Sequence, residues 1–214
     1  MKNIFVHLRV HSNFSLAEGM LSIDYLSDFC KKHNQPAIAI TDTSNMFGVL
    51  EFSINMVSKG VQPIIGMQVN ISGSTNSENS IGEVVLIAKN EIGYRNLLVL
   101  ISELSTNSNF DKFITFKNLK TYKDGIILLT GGIENGFIGK PASLGNTKLV
   151  NDRIIILKEL FHDNLYIELQ RHGIRSQFNA EKILLDSSVK FNLPLVATND
   201  CFFENVNKFN AHQV

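Results

Sequence analysis

Short apolar runs rich in β-branched residues recur along the 214-residue chain, and longer segments with helical spacing of apolar positions separate them. Such runs predict buried strands, and their alternation with helices is typical of parallel βα units. The seven predicted strands are Ile4–Val10, Ala37–Ile40, Pro63–Asn70, Glu83–Ala88, Gly125–Leu129, Leu165–Leu169 and Leu195–Thr198. The five predicted helices cover residues 22–33, 46–59, 92–104, 149–160 and 176–191. This pattern predicts an α/β protein, a distorted seven-stranded (β/α) barrel, with an open doubly wound sheet as the alternative.

Two segments rich in Ser and Asn, Ser72–Ser80 and Ser105–Asn109, predict solvated loops. Neither is long enough to link two separate domains. We therefore expect residues 1–214 to form a single domain.

The composition is that of an ordinary globular protein, with 44% hydrophobic and 19% charged residues. Twenty basic and twenty acidic residues cancel, which argues against a domain that grips DNA by itself. The two cysteines, Cys30 and Cys201, have no CxxC spacing, so we predict neither a disulfide framework nor a structural zinc site. No apolar run reaches the ~18 residues of a membrane span, and the first residues contain no signal-peptide pattern. A cytoplasmic location is expected.

The first predicted strand carries three polar side chains, His7, Arg9 and His11, which strand alternation would turn to one face. Inward polar side chains on an apolar strand are costly unless they bind something, and metal ions or phosphates are the usual ligands. Arg9 cannot ligate a metal because its guanidinium stays protonated and has no lone pair to offer. The pattern indicates a metal site that has lost one ligand.

Polar residues also stand near the ends of other predicted strands, where function gathers in both candidate folds. Asp42 follows the second strand, His172 follows the sixth and Asp200 follows the seventh. Gln68 lies in the third strand. This distribution indicates a functional site, or what remains of one.

Several segments together resemble the polymerase and histidinol phosphatase (PHP) domain, in the form found at the amino terminus of bacterial DNA polymerase III alpha subunits. They run in the family's order and are Phe5–Gly19, Ala39–Gly48, Pro63–Gly66, Leu86–Asn90, Gly93–Leu97, Tyr166–Gly173 and Val196–Asp200. The resemblance implies a distorted seven-stranded βα barrel, the fold that the strand count also predicts. It implies further that the chain is the N-terminal part of a longer replicative polymerase, whose Mg-dependent synthesis of DNA resides in another domain.

In family members with an intact site, His, Asp and Glu side chains bind up to three metal ions that activate water and clamp a phosphate. The positions of this chain that match the site are Arg9, His11, Glu18, Asp42, Thr43, Gln68, His172, Asp200 and Phe202. Arg9, Thr43 and Phe202 stand where the family has histidines. Gln68 stands where it has a glutamate.

The resemblance therefore implies a degenerate site with no catalytic residue and no bound metal. We expect Arg9 to occupy the vacated space and to pair with Asp42, Glu18 or Asp200. His7 is expected to be a buried, hydrogen-bonded structural residue, because the family's ligands follow it.

Three functions compete. In the first, implied by the resemblance, the domain supports the polymerase body of the same subunit, docks the proofreading exonuclease subunit, and reaches DNA only through the larger assembly, with no membrane contact. The second is a metal-dependent phosphoesterase or 3′–5′ exonuclease that keeps one Zn or Mn ion on His11, Glu18, Asp42, His172 and Asp200. The third, a stand-alone histidinol-phosphate phosphatase, is disfavoured by the polymerase-like segments Gly93–Leu97 and Glu168–Gly173.

Overall fold

A computed structural model describes residues 5–72, 81–106 and 113–209, and it is a mixed α/β structure, as predicted. The start of the first predicted strand at Ile4, and most of the two predicted loops, lie outside these described residues. Contacts between residues divide the chain into two compact units. The first contains the residues up to Met67 and those from Asn199 onward, and the second is Gln68–Thr198.

The first unit contains two helices and a parallel strand pair. Its elements are α1 (Ile23–His33), β1 (Ala37–Ile40), α2 (Val49–Ser58) and the first part of β2 (Gln62–Ser72). β1 and β2 run parallel, with Ala37 opposite Gln62 and Ile40 opposite Ile65. Thr41 and Asp42 follow directly after the carboxyl end of β1 and are the first polar residues beyond the strand.

The predicted first strand does not form a regular strand in its described part, although its backbone occupies a strand's place. The His7 carbonyl accepts from the Ala39 amide (2.8 Å) and the Val10 carbonyl accepts from the Thr41 amide (2.9 Å). On its other side, the His11 amide donates to the Cys201 carbonyl at 2.9 Å. Only an isolated parallel bridge joins Val10 to Cys201, so the prediction of a regular strand over this segment was wrong.

Both helices of the first unit follow from their sequence signals. α1 begins after Ser22, whose hydroxyl accepts from the Tyr25 amide at 3.2 Å, and it ends at Asn34 in the left-handed conformation that suits a C-terminal cap. α2 buries Val49, Phe52 and Met56 on one face. These spacings are those of an amphipathic helix packed on a core.

The second unit continues β2 and adds five strands and five helices among the described residues. They are β3 (Ile81–Ala88), α3 (Glu91–Thr106), β4 (Ile114–Thr115), α4 (Phe116–Tyr122), β5 (Ile126–Leu129), α5 (Gly139–Ser143), α6 (Thr147–Phe161), β6 (Leu165–Leu169), α7 (Arg175–Phe191) and β7 (Leu195–Ala197). The five predicted helices correspond to α1, α2, α3, α6 and α7, with ends that differ by at most three residues. The short elements β4, α4 and α5 were not predicted.

The pairing of β3 with β5 differs from the predicted parallel arrangement. β3 and β5 are antiparallel, with Val85 opposite Leu129 and Ala88 opposite Ile126. The pairs β5–β6, β6–β7 and β2–β4 are parallel. The residues of β3 from Val84 to Ile87 are all buried, and a strand buried on both faces gives the same continuous apolar run in either direction. Hydrophobic pattern alone therefore could not show the reversal.

Among the described residues, no helix is both long enough and apolar enough to cross a membrane.

A close backbone contact in the second unit explains why position 93, in the Gly93–Leu97 segment, is a glycine. A Cβ atom added to Gly93 would lie 1.8 Å from the carbonyl oxygen of Gly125. The Gly93 amide meanwhile donates to the Asn90 side chain at 3.0 Å, and the Lys89 amide donates to the same Gly125 carbonyl at 2.8 Å. The start of α3 is thus held against the turn that precedes β5.

We expect Gly93→Ala to lower the free energy of unfolding by about 3 kcal/mol, because the clash is with backbone that cannot rotate away. Gly145→Ala is the matched control: it has a positive φ of 74° but open space around it, so it should cost only about 1 kcal/mol of backbone strain. Urea denaturation followed by circular dichroism measures both. Equal losses would show that the contact is not rigid.

Candidate functional site

The centre of the candidate site is a buried arginine in the first unit. The Arg9 side chain is 2% exposed, and its Nε lies 3.1 Å from Oδ1 of Asp200. The same oxygen lies 3.0 Å from Nε2 of His11, whose side chain is fully buried. Of the three carboxylates expected as partners of Arg9, Asp200 is therefore in direct contact.

The backbone brings these residues together from opposite ends of the chain. The amide of Cys201 donates to the Arg9 carbonyl at 3.3 Å, and the amide of Met20 donates to the Phe202 carbonyl at 2.7 Å. The segment after Asn199 is thereby fixed beside the segment that carries Arg9 and His11. The side chain of Asp200 consequently faces the guanidinium.

Asp42 is the second carboxylate of the site, and serine and backbone donors surround it. Its Oδ1 accepts from the Ser12 amide at 2.6 Å and from the Ser15 hydroxyl at 2.7 Å. Its Oδ2 accepts from the Ser12 hydroxyl at 2.7 Å. These bonds give both oxygens hydrogen-bond partners in a carboxylate that is only 2% exposed. Ser12 and Ser15 were not among the predicted site residues, although polar side chains beside His11 were a signal for them.

Thr43 makes contacts with Glu18, His11 and Ser15. Its hydroxyl donates to the carboxylate of Glu18 and lies 3.3 Å from Nδ1 of His11. Its amide donates to Ser15 Oγ at 3.1 Å. The hydroxyl thus fills the place beside His11 at which the resemblance expects an imidazole.

Phe202 covers the other side of His11. The two rings are stacked, with centroids 4.2 Å apart and planes 9° apart. An aromatic ring offers no lone pair for coordination, and here it shields the imidazole from solvent.

The loop that carries Glu18 has an unusual backbone. Ala17 has a φ of 63°, and Ser44, next to Thr43, has a φ of 53°. The left-handed region costs a non-glycine residue roughly 1–2 kcal/mol. At Gly19 a Cβ would lie 1.9 Å from the Ser12 carbonyl oxygen, so only glycine allows the loop to return this close. Strain of this kind concentrates at functional sites.

These residues do not fit a metal cluster as they are arranged. His11 has both ring nitrogens in contact with protein partners, and one oxygen of Asp200 faces a guanidinium. Across the described residues, His, Cys, Asp and Glu side chains form no group of three or more that could hold a metal ion. The donors are satisfied by one another instead.

The two other predicted positions, Gln68 and His172, belong to the second unit. Gln68 is buried in β2, whereas His172 is exposed in the turn after β6 and its amide donates to Gln177 Oε1 at 2.7 Å. Their roles in the site remain predictions.

The second unit contains a buried carboxylate that the site prediction missed. Glu168 accepts from the Gly131 amide at 3.0 Å, from Gln170 Nε2 at 3.1 Å and from the Thr198 hydroxyl. It is 2% exposed. A single acidic residue inside the apolar strand Leu165–Leu169 was the sequence signal.

His7 does not share the face of Arg9 and His11, so that prediction was wrong. Its Nδ1 lies 3.5 Å from the sulfur of Cys201, and its ring makes an edge contact with Phe29 at 6.2 Å. Because the segment is not a regular strand, alternation does not hold across it. Burial lowers the pKa of His7, and it raises the pKa of Cys201 to about 11 with a smaller contribution from Asp200. His7 is hydrogen-bonded as expected, but it is half-buried rather than buried.

The sequence profile of the PHP domain matches residues 7–172. The chain belongs to the PHP domain family. Over its whole length it is 35% identical to the DNA polymerase III subunit alpha of Rickettsia bellii, and over 98% of its length it is 32% identical to that of Haemophilus influenzae. It spans 18% of the length of each of these relatives.

Two solved structures share the fold. An amidohydrolase from Chromobacterium violaceum, with bound sulfate and no metal, has a TM-score of 0.62 and 12% identity, covering 92% of this chain and 87% of its own. A metal-dependent phosphoesterase from Bifidobacterium adolescentis has a TM-score of 0.59 and 12% identity, covering 94% and 88%. Together with the family match, they confirm the predicted PHP-type α/β fold.

We expect Asp200→Ala to lower the free energy of unfolding by about 3 kcal/mol, because it removes a carboxylate from a buried guanidinium. Adding Arg9→Met should recover at least about 1 kcal/mol, since the uncompensated charge is then gone. Asp186→Ala, at an exposed position of α7, is the control and should change stability by less than about 0.5 kcal/mol. If Arg9→Met worsened the Asp200→Ala protein instead, charge neutralisation would not be the role of Asp200.

Proposed function

We propose that this chain is the PHP region of a bacterial DNA polymerase III alpha subunit and that it serves replication as a non-hydrolytic scaffold. It supports the polymerase body of that subunit and docks the proofreading exonuclease subunit. The observation that carries the proposal is the Arg9–Asp200 pair at 3.1 Å. The guanidinium of Arg9 is a cation supplied by the protein itself, and it lies among the positions that match the family's metal site.

Electrostatics favours this interpretation over metal-dependent hydrolysis. A unit charge and a divalent ion ~4 Å apart repel by roughly 8 kcal/mol at an effective dielectric constant of ~20. The carboxylates that would offset this repulsion already bind other donors, as Asp42 does with Ser12 and Ser15. A metal would have to displace those bonds and remain beside Arg9.

Metal content tests the scaffold proposal. We expect the purified chain, equilibrated with Zn or Mn and analysed by elemental mass spectrometry, to retain less than about a tenth of an equivalent. Calorimetric titration should show no binding heat at micromolar metal. The variant that combines Arg9→His, Thr43→His, Gln68→Glu and Phe202→His should gain metal, because it restores three imidazoles and a carboxylate.

One or more tightly bound ions in the unaltered chain would overturn the scaffold proposal. They would favour a phosphoesterase that uses His11, Glu18, Asp42, His172 and Asp200, to be assayed next on single-stranded DNA ends. A restored variant that folds but binds no metal would instead refute the assignment of the four positions.

An apolar stripe on α2 supports the docking part of the proposal. It consists of Phe47, Leu50, Ile54 and Val57, which are 72%, 73%, 63% and 65% exposed. Phe47 lies in the turn just before α2. Leu50, Ile54 and Val57 are spaced by four and three residues and therefore lie along one side of the helix, which buries its other side in the core. Because α2 is apolar on both faces, its exposed apolar face is suited to binding another protein.

The chemistry of the stripe fits a helix of another protein. Exposed apolar residues at this spacing form the seam that an amphipathic helix packs against. Glu51 is the one charged residue within Val49–Ser58, and interface cores are depleted in charge. We assign this stripe to the exonuclease subunit.

We expect the double variant Leu50→Asp, Ile54→Asp to bind the exonuclease subunit at least about tenfold more weakly, because two carboxylates would be buried without partners. Leu144→Asp with Val189→Asp, at positions 76% and 84% exposed, is the matched control and should bind normally. Surface plasmon resonance measures both. Unchanged affinity of the α2 variant would remove the stripe from the interface, and no binding by the unaltered chain would refute the docking role itself.

A further inference from the structure

The first unit contains a pocket with aromatic walls, apart from the polar contacts around Arg9. Its volume is about 130 Å³, and Tyr25, Phe29 and Phe203 line it together with buried apolar residues that include Leu21 and Leu26. Glu204 is the one carboxylate among its lining residues. The pocket thus combines an apolar interior, aromatic rings and a single negative charge.

Two elements build this arrangement. α1 places Tyr25 and Phe29 one turn apart, with ring centroids separated by 6.1 Å. The segment that follows Asp200 supplies Phe203 and Glu204, and the ring of Phe203 is braced edge-on by Phe209 at 5.7 Å. The rings are therefore held by a helix on one side and by a ring contact on the other.

The carboxylate of Glu204 belongs to the same pocket as the aromatic rings. Burial raises the pKa of Tyr25, and the charge of Glu204 raises it further. The phenol of Tyr25 therefore lies within the field of Glu204. Burial also lowers the pKa of His7, another lining residue.

We propose that this pocket binds a primary alkylammonium, with its methylene chain against the apolar interior and its charged head between the aromatic rings and Glu204. Aromatic faces attract cations, and the attraction grows as water is excluded. A cavity of ~150 Å³ accommodates benzene, so a ligand of about five or six heavy atoms matches this one. The inference is independent of the function proposed above, because it uses none of the site's charged residues.

Two sources can supply this chemistry: a free small amine, or the side chain of a lysine on a protein partner. The probes are n-butylammonium and Nα-acetyl-lysine methylamide, which carries the same chain on a peptide backbone. Binding of both assigns the site to a protein lysine. Binding of n-butylammonium alone assigns it to a free amine.

The test is a chemical-shift titration of the isotope-labelled chain with n-butylammonium, n-butanol and n-butyrate at constant ionic strength. We expect the ammonium to bind about tenfold more tightly than the alcohol, and the butyrate not to bind measurably. Glu204→Gln should bring the ammonium and the alcohol within about threefold of each other. Glu51→Gln, an exposed glutamate on α2, is the control and should leave the preference unchanged.

A second measurement places the ligand in this pocket. Cys201 also lines it, so bound ammonium should slow the alkylation of this thiol. Equal affinity for the ammonium and the alcohol would overturn the proposal. Shifts confined to other parts of the chain, with alkylation of Cys201 unaffected, would overturn it as well.

Discussion

The burial of the Arg9 guanidinium is the constraint on which the rest of the site depends. A cation that is 2% exposed must be neutralised where it lies, and the segment after Asn199 brings Asp200 to it. Such a pair adds little net stability over a well-packed apolar pair, yet losing one partner is costly. Its effect is therefore to fix which segments meet. Arg9 and Asp200, 191 positions apart, specify that the two ends of the first unit come together.

The same need explains how four of the chain's carboxylates are satisfied. A divalent metal would neutralise several carboxylates at once by sharing them. Here each has its own donors: a guanidinium and an imidazole for Asp200, serines for Asp42, a threonine hydroxyl for Glu18, and an amide and neutral side chains for Glu168. These contacts of the four carboxylates are thus with protein donors.

Sequence reasoning succeeded where a residue's chemistry admitted few solutions. An arginine inside an apolar segment needs an anion, and Asp200 was among the three expected partners. The long helices were predicted because the amphipathic spacing of their apolar residues repeats over several turns.

Sequence reasoning failed where a local pattern has several spatial outcomes. The run Val84–Ile87 reads the same in a parallel and an antiparallel strand, so the reversal of β3 against β5 was invisible. Short elements such as α5 contain too few turns for periodicity to show. His7 was assigned to the wrong face because alternation was applied to a segment whose contacts come from isolated bridging rather than from a regular ladder.

The segment that follows Asn199 contributes side chains to two different parts of the first unit. Asp200 and Phe202 contact His11, whereas Cys201 and Phe203 line the aromatic pocket. Side chains of one segment that contact different groups can change separately. A phenylalanine at position 202 therefore alters the polar site without disturbing the walls of the pocket. Both sets of contacts depend on a single backbone path, which is held by the hydrogen bonds of Cys201 to Arg9 and His11.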